Sequence, residues 1–243
     1  MRGLILAVQF LTRLPTPQLA AFKPEWLAAS ARWFPAVGLI VGALLLASLR
    51  LGGQVDPWLA ALLALLTWVM VTGGLHLDGL ADLSDALGAA HRSRERFFEV
   101  LKDPHLGSFG VLSLVLAIVA KLVLLMLIAR QGGPAWGLLL VPAWARGFAV
   151  AWSATLPAIA PGSGERFAWQ KDWAGMGLNL AALLALSAWL APALLLAPLA
   201  GLVWRAFLKR RLGGMTGDCL GAGVELCEIG MLGLLLWRVP GWL

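Results

Sequence analysis

Charge is scarce in this chain, and negative charge is the scarcer sign: 13 acids against 19 lysines and arginines in 243 residues. Charged residues make up 13% and apolar ones 60%, about half the charged share and well above the apolar share of a soluble domain. The mean hydropathy is +0.83. That excludes an ordinary soluble fold. Cysteine is nearly missing as well: Cys219 and Cys227 stand alone, eight apart on an expected helix. Such a pair rules out a disulfide framework, matches no zinc spacing, and is read as two small buried hydrophobes. The opening stretch MRGLILAVQFLTRLPTP is short before Arg13 and lacks a small-residue cleavage site. It reads as an interfacial helix rather than a signal peptide. A net charge of +6 would suit nucleic acid in a soluble protein. In a membrane protein, excess Lys and Arg marks cytoplasmic loops, so no nucleic-acid partner is expected.

What the chain has instead is a succession of apolar stretches, several of them near the roughly 20 residues that cross a bilayer as helix. Candidate spans are about 34–50, 57–74, 109–130, 134–156, 174–190, 192–206 and 219–237. Pro192 and Pro198 mark either a helical hairpin or kinks in one long tilted helix. The expected fold class is therefore all-α, a polytopic transmembrane helical bundle of six or seven spans, with 1–243 forming a single integral-membrane domain. With seven spans, one side collects Arg2, Arg13, Lys23, Arg32, Arg92, Arg94, Arg96, Lys102, Arg166, Lys171 and Lys209-Arg210-Arg211, which is 13 of the 19 basic residues. The N-terminus is accordingly expected in the cytoplasm.

The few acids are bunched. Asp78, Asp82, Asp85, Glu95, Glu99 and Asp103 form one group, and Asp218, Glu225 and Glu228 a second, so nine of 13 sit in two segments on the expected cytoplasmic face. In GGLHLDGLADLSDALG, residues 73–88, helical spacing puts Asp78, Asp82 and Asp85 within a narrow arc of one face. Like charges at these spacings destabilise a bare helix by roughly 0.2–0.5 kcal/mol per pair, and acids beside a bilayer are functional candidates by default. Magnesium resolves the conflict, since it takes oxygen ligands and shares them with substrate phosphates. The alternative is a solvated polar helix with arginine partners. Gly73-Gly74 is expected to end the preceding span, and Gly79 admits a close neighbour.

A second stretch, GGMTGDCLGAGVE at 213–225, repeats the pattern. Aligning Gly73 with Gly213 pairs Asp78 with Asp218, Leu80 with Leu220 and Asp85 with Glu225. The expectation is a degenerate internal repeat whose two acidic faces meet over one substrate. Between the motifs, Arg92, Arg94, Arg96 and Lys102 are phosphate clamps or topology signals. Asp103, ahead of Pro104, sits on a turn where it can ligate metal or orient a hydroxyl. His76 is either a catalyst or a packing residue. Lys121 and Arg146, inside spans, should face the bundle interior or snorkel.

FLTRLPTP at 10–17, RWFPAVGLIVG at 32–42, TGGLHLDGLADLSDALG at 72–88, RSRERFFEVLKDPHLGSFG at 92–110 and LGGMTGDCLGAGVELCE at 212–228 together resemble the cobalamin synthase family, adenosylcobinamide-GDP ribazoletransferases. The motifs follow in order over almost the whole chain. The resemblance implies a magnesium-dependent enzyme of the cell inner membrane. In that reaction α-ribazole, or its 5′-phosphate, attacks the phosphate on the cobinamide arm of adenosylcobinamide-GDP, and GMP leaves. The lipid bilayer and other cobalamin-assembly enzymes are its expected surroundings. On that footing Asp78, Asp82, Asp85, Asp218 and Glu225 are the candidate metal ligands. Asp78, Asp82, Asp85, Asp218 and His76 are the candidate catalytic groups. Arg94, Arg96, Lys102, Asp103, Lys209, Gly74, Gly214 and Thr216 are the candidate substrate contacts. The chain departs from the family's usual Asp-Ser-Arg in having Asp103-Pro104-His105, which weakens a basic contact at 105, and carries Ala86 where glycine is common.

Two other classes share part of the pattern. A CDP-alcohol phosphotransferase also has aspartates after a glycine at a membrane face, but its motif carries an arginine after D-G-x-x-A, where this chain has Asp82 directly after Ala81. A cation-coupled transporter would hold its acids near the bilayer midplane, whereas these lie beside basic loops.

Overall fold

The computed structural model of the protein describes residues 2–18, 24–89, 93–133, 135–162, 165–166 and 171–237. In chain order these form α1 (Arg2–Leu11), α2 (Pro24–Ser30), α3 (Phe34–Gly53), α4 (Pro57–Thr72), α5 (Leu75–Ala89), α6 (Arg94–Val100), α7 (Ser108–Arg130), α8 (Gly137–Thr155), α9 (Trp173–Leu190), α10 (Ala197–Arg211) and α11 (Gly217–Leu235). Short 3-10 turns at Ala31–Trp33 and Pro192–Leu196 precede α3 and α10. Among the described residues no strand forms, only an isolated bridge between Ala158 and Met215. The all-α expectation holds.

Local chemistry sets the helix ends. Asp56 accepts the Trp58 backbone N–H at 2.7 Å, with Pro57 in the first turn, so α4 starts with a carboxylate cap. Thr216 does the same for α11 through the Cys219 N–H at 3.2 Å. α4 ends at Gly73 and Gly74, whose φ angles of +62° and +72° lie in the left-handed region that glycine tolerates. The chain turns there by 84° before α5 begins. The sequence-based end of the span at Gly73-Gly74 is thus where the helix breaks.

Among the described residues five stretches are long and apolar enough to cross a membrane: Glu25–Gly53, Ser108–Arg130, Gly137–Thr155, Trp173–Leu190 and Pro192–Arg211. Counting the bent pair α4–α5 as one span makes six. The expected seventh, 219–237, is a helix (α11), but its three acids keep it out of that set. The 3-10 turn from Pro192 separates α9 from α10, so 174–206 is two helices rather than one kinked one.

α8 is the most enclosed of these spans, with 72% of its apolar window buried, against 11% for α9. It packs on α3 through small residues. A β-carbon at Gly38 would stand 2.4 Å from Ala143 Cα, and one at Gly42 2.3 Å from the Leu139 carbonyl oxygen. This G-x-x-x-G pair, Gly38 and Gly42, lets two backbones touch where lipid provides no hydrophobic drive for association. α11 runs through the centre, in contact with α5, α7, α8 and α10. Both cysteines are free and buried on it, as small hydrophobes would be.

Candidate functional site

The two acidic motifs open two helices, α5 and α11, and the helices cross. At the crossing a β-carbon on Gly79 would stand 3.0 Å from the Cα and carbonyl oxygen of Asp218, and one on Gly221 3.4 Å from the His76 Cα. At Gly79 a side chain would crowd the backbone of α11. The crossing brings Asp78 and Asp218, 140 positions apart in the chain, to the wall of one cleft of about 120 Å³. Asp82 lies within charge–charge range of Asp78, Asp218 and Asp85. Among the described residues neither Asp78 nor Asp82 has an ion pair, and Asp218 accepts a long 3.5 Å hydrogen bond from the Thr216 hydroxyl.

The other two expected ligands are engaged elsewhere. Asp85 accepts the backbone N–H groups of Gly107 at 2.8 Å and Gly110 at 2.9 Å. It caps α7 from a different helix, where Gly107 has no side chain to do so. Asp85→Ala is therefore expected to lower stability by about 0.5–2 kcal/mol, read as a lower unfolding midpoint in detergent, with Asp85→Asn retaining part of the cap. Glu225 lies two turns beyond Asp218 and meets Lys121 Nζ at 2.7 Å in the bundle interior. Among the described residues, no three His, Cys, Asp or Glu side chains converge in a group that could hold a metal ion. The five-carboxylate ligand set expected from the aligned motifs thus separates: Asp78, Asp82 and Asp218 stay near one another, while Asp85 caps a helix and Glu225 joins a buried ion pair.

That ion pair belongs to a larger network. Lys121 Nζ also lies 2.6 Å from Glu228 Oε2 and 4.0 Å from the Trp68 ring centroid. Arg146 pairs with Glu228 on its other oxygen. Two cations and two anions close the charge balance beneath the cleft. Lys121 and Arg146 face the interior, one of the two placements expected for them. His76 is buried with Nδ1 3.4 Å from Arg146 Nη2, and both residues line the cleft. Its ring therefore packs on a cation and borders the site at once.

The expected phosphate contacts are spread more widely. Arg94 shares a second cleft, of about 190 Å³, with Arg211, Phe97, Phe98 and Ile159. The Ile159 N–H bonds to the Met215 carbonyl, three residues before Asp218, which places this cationic cleft at the same end as the acids. Arg96 pairs with Glu99 at 2.9 Å, and Lys102 and Lys209 are exposed. Asp103 accepts hydrogen bonds from the His105 backbone and ring at 3.0 and 2.6 Å, which hold its carboxyl below the usual range. Gly74 lies in the bend, Gly214 packs under Pro157 and Ile159, and Thr216 caps α11. Lys23 and Arg92 lie outside the described residues.

Three residues near the acids were not singled out by the sequence as site residues. Arg146 and Ser153 line the cleft, and Arg13 lies over Gly73 at the bend, where a β-carbon would meet its Nε at 2.4 Å. Arg146 carried a signal, an ionisable residue inside a span. Arg13 read only as a topology marker.

The chain matches the family described as cobalamin-5-phosphate synthase over residues 3–236. Adenosylcobinamide-GDP ribazoletransferase of Laribacter hongkongensis is 65% identical over 232 residues, covering 96% of this chain and 95% of that protein. The proteins of the same description from Thiobacillus denitrificans and Novosphingobium aromaticivorans are 52% and 50% identical, over 94% and 96% of this chain and 92% and 95% of their own lengths. No solved structure matches.

Proposed function

The chain belongs to the cobalamin-5-phosphate synthase family, and from that premise we propose that it transfers the adenosylcobinamide-phosphate moiety of adenosylcobinamide-GDP to α-ribazole or its 5′-phosphate. A ribose hydroxyl oxygen attacks the phosphorus bonded to the cobinamide arm. The bond from that phosphorus to the bridging diphosphate oxygen breaks, and GMP departs with the oxygen. The hydroxyl proton goes to a carboxylate. Asp78 and Asp218 are the candidates, because they line the same cleft from two helices. That joint lining is the observation that carries the reading.

Phosphoryl transfer needs positioning and charge neutralisation more than covalent help from the protein. Arg94 and Arg211, sharing the neighbouring cleft, are suited to hold the diphosphate through charge-assisted hydrogen bonds. The ligand atoms that Asp78, Asp82 and Asp218 offer are carboxylate oxygens, with Asp78 and Asp82 free of basic partners among the described residues. This suits a hard cation that binds through one or two carboxylates plus substrate phosphates, as magnesium does, rather than an all-protein cage. When bound, magnesium would offset negative charge on the diphosphate. One or two of Asp78, Asp82 and Asp218 would hold it together with the substrate's phosphate oxygens. The N-terminus is assigned to the cytoplasm by the basic loops, and the membrane to the inner one.

The test is purified protein in detergent with adenosylcobinamide-GDP, α-ribazole and magnesium. GMP and a corrinoid nucleotide-loop product should form in equal amounts, and chelation should stop both until magnesium is restored. Product without GMP, or turnover untouched by chelator, defeats the corresponding part of the reading.

A further inference from the structure

α8 turns one face to the acid cleft and another to a groove of its own. Arg146, Ala149 and Ser153, at helical spacings, border the acids. Trp144, Gly147, Phe148 and Ala151, at i, i+3, i+4 and i+7, line a groove of about 310 Å³ with Leu180 and Leu183 of α9 opposite. That is about twice the apolar cavity that takes up a benzene ring. The Trp144 indole and the Asn179 amide on its walls are already committed: Nε1 donates to Ser187 Oγ at 3.0 Å, and Nδ2 to the Arg32 carbonyl at 2.9 Å. Such walls suit a hydrocarbon chain and not a polar ligand.

The groove continues into a second hollow. Val150 and Met176 also line a space of about 250 Å³ bounded by Ala28, Ala31, Arg32 and Asp172. Arg32 directs Nε and Nη2 to Asp172 Oδ2 at 2.9 and 2.6 Å, and its Nη1 has no partner among the described residues. Lys171, next in the chain, is exposed. The composite is therefore charged at one end and apolar at the other. Its depth agrees with one leaflet: from Trp173 to Leu183, α9 rises about 15 Å, half of a hydrocarbon core of about 30 Å. Gly177 and Leu180 on the rim are exposed, so it opens sideways, toward the bilayer.

We propose that this groove is a phospholipid site: one acyl chain lies between α8 and α9, and the phosphodiester meets Arg32 and Lys171 at the mouth. A phospholipid matches the charged end, the apolar length and the sideways opening together. Bound there, it completes an interface the protein leaves open, since α9 packs chiefly on α8 and the two 3-10 turns. The acids lie on the other face of α8, so the site is distinct from the transfer reaction and is tested without its substrates.

The test takes the full-length protein in detergent, exchanged until free of lipid, and titrates it with dioleoyl phosphatidylglycerol under native mass spectrometry. The parent should retain one phospholipid per chain, and should hold dioleoylglycerol, which lacks the phosphate, roughly tenfold less tightly. Gly147→Leu should weaken phospholipid retention roughly tenfold, the equivalent of about two methylenes driven out. A β-carbon at Gly147 meets only Leu183 Cδ1 at 3.5 Å and Pro35 Cγ at 3.7 Å, ordinary contacts, so the helix packing survives the change. Arg32→Gln leaves the groove intact and should fall to the dioleoylglycerol level; it is decisive by itself if Gly147→Leu does not fold. Retention equal to the parent's in either variant means lipid held only at the general surface, and overturns the proposal. So does displacement by inorganic phosphate, which would assign the mouth to a free anion. A lipid-free dimer that Gly147→Leu dissociates would assign the groove to a second copy of the chain and overturn it as well.

Discussion

Asp78→Asn, Asp82→Asn and Asp218→Asn should each cut transfer by roughly 10²–10³-fold or more, the scale lost when one group that stabilises transition-state charge is removed. Yield, membrane insertion and unfolding midpoint should stay near the parent's. The reasoning is geometric. The Asp78 and Asp82 carboxylates form no ion pair in the described fold, so replacing either by its isosteric amide breaks none. It even removes like-charge repulsion around Asp82, which feels Asp78, Asp218 and Asp85 together, so a small gain in stability is the expected sign. Loss of activity with stability kept or raised is the signature of groups retained for chemistry. Asp85→Asn is the internal control, because its carboxylate caps α7, and its effect should fall on stability. Near-normal kcat in either Asp78→Asn or Asp218→Asn would remove the proposed site.

The opposite pattern is expected one layer deeper. Glu228→Gln should destabilise the protein by about 3–5 kcal/mol, because it leaves Lys121 and Arg146 in the interior with one carboxylate between them. The penalty comes from an uncompensated buried charge rather than from one missing hydrogen bond. A second substitution, Lys121→Met, removes that excess charge and should recover part of the loss. Unfolding midpoints in detergent for the two single variants and the double one test this directly. If the double variant is no more stable than Glu228→Gln alone, charge balance is not what the network supplies.

Parts of this arrangement were legible in the sequence for definite reasons. Apolar runs located the spanning helices because lipid demands continuous internal hydrogen bonding. Gly73-Gly74 announced the bend because two left-handed residues in succession cannot continue a helix. The paired Gly-Gly and Asp patterns brought Asp78 and Asp218 to one face, and Gly79, read as admitting a close neighbour, is where α11 crosses. The alignment misled at its far end. It matched Asp85 to Glu225 by offset alone, yet Asp85 stands where α7 begins, whereas Glu225 lies two turns into the bundle beside Lys121. Offsets record position along a helix and say nothing of what stands opposite. For the same reason Lys121 and Arg146 could be turned inward from hydropathy, but their carboxylates, 107 and 82 residues away for Glu228, could not be assigned.

Those separations matter while the protein is being made. At roughly 5–20 residues per second, a ribosome needs about 5–20 seconds to travel the 107 residues from Lys121 to Glu228. Lys121 for that interval, and Arg146 for the last 82 residues of it, occupy nascent spans whose counter-charges have not yet been synthesised, each at a cost of about 2.5–3.5 kcal/mol at mid-bilayer. The last helix to emerge therefore neutralises the earlier ones. A chain that stops before Gly217 lacks both carboxylates that pair with Lys121 and Arg146, so those two cations stay uncompensated in lipid.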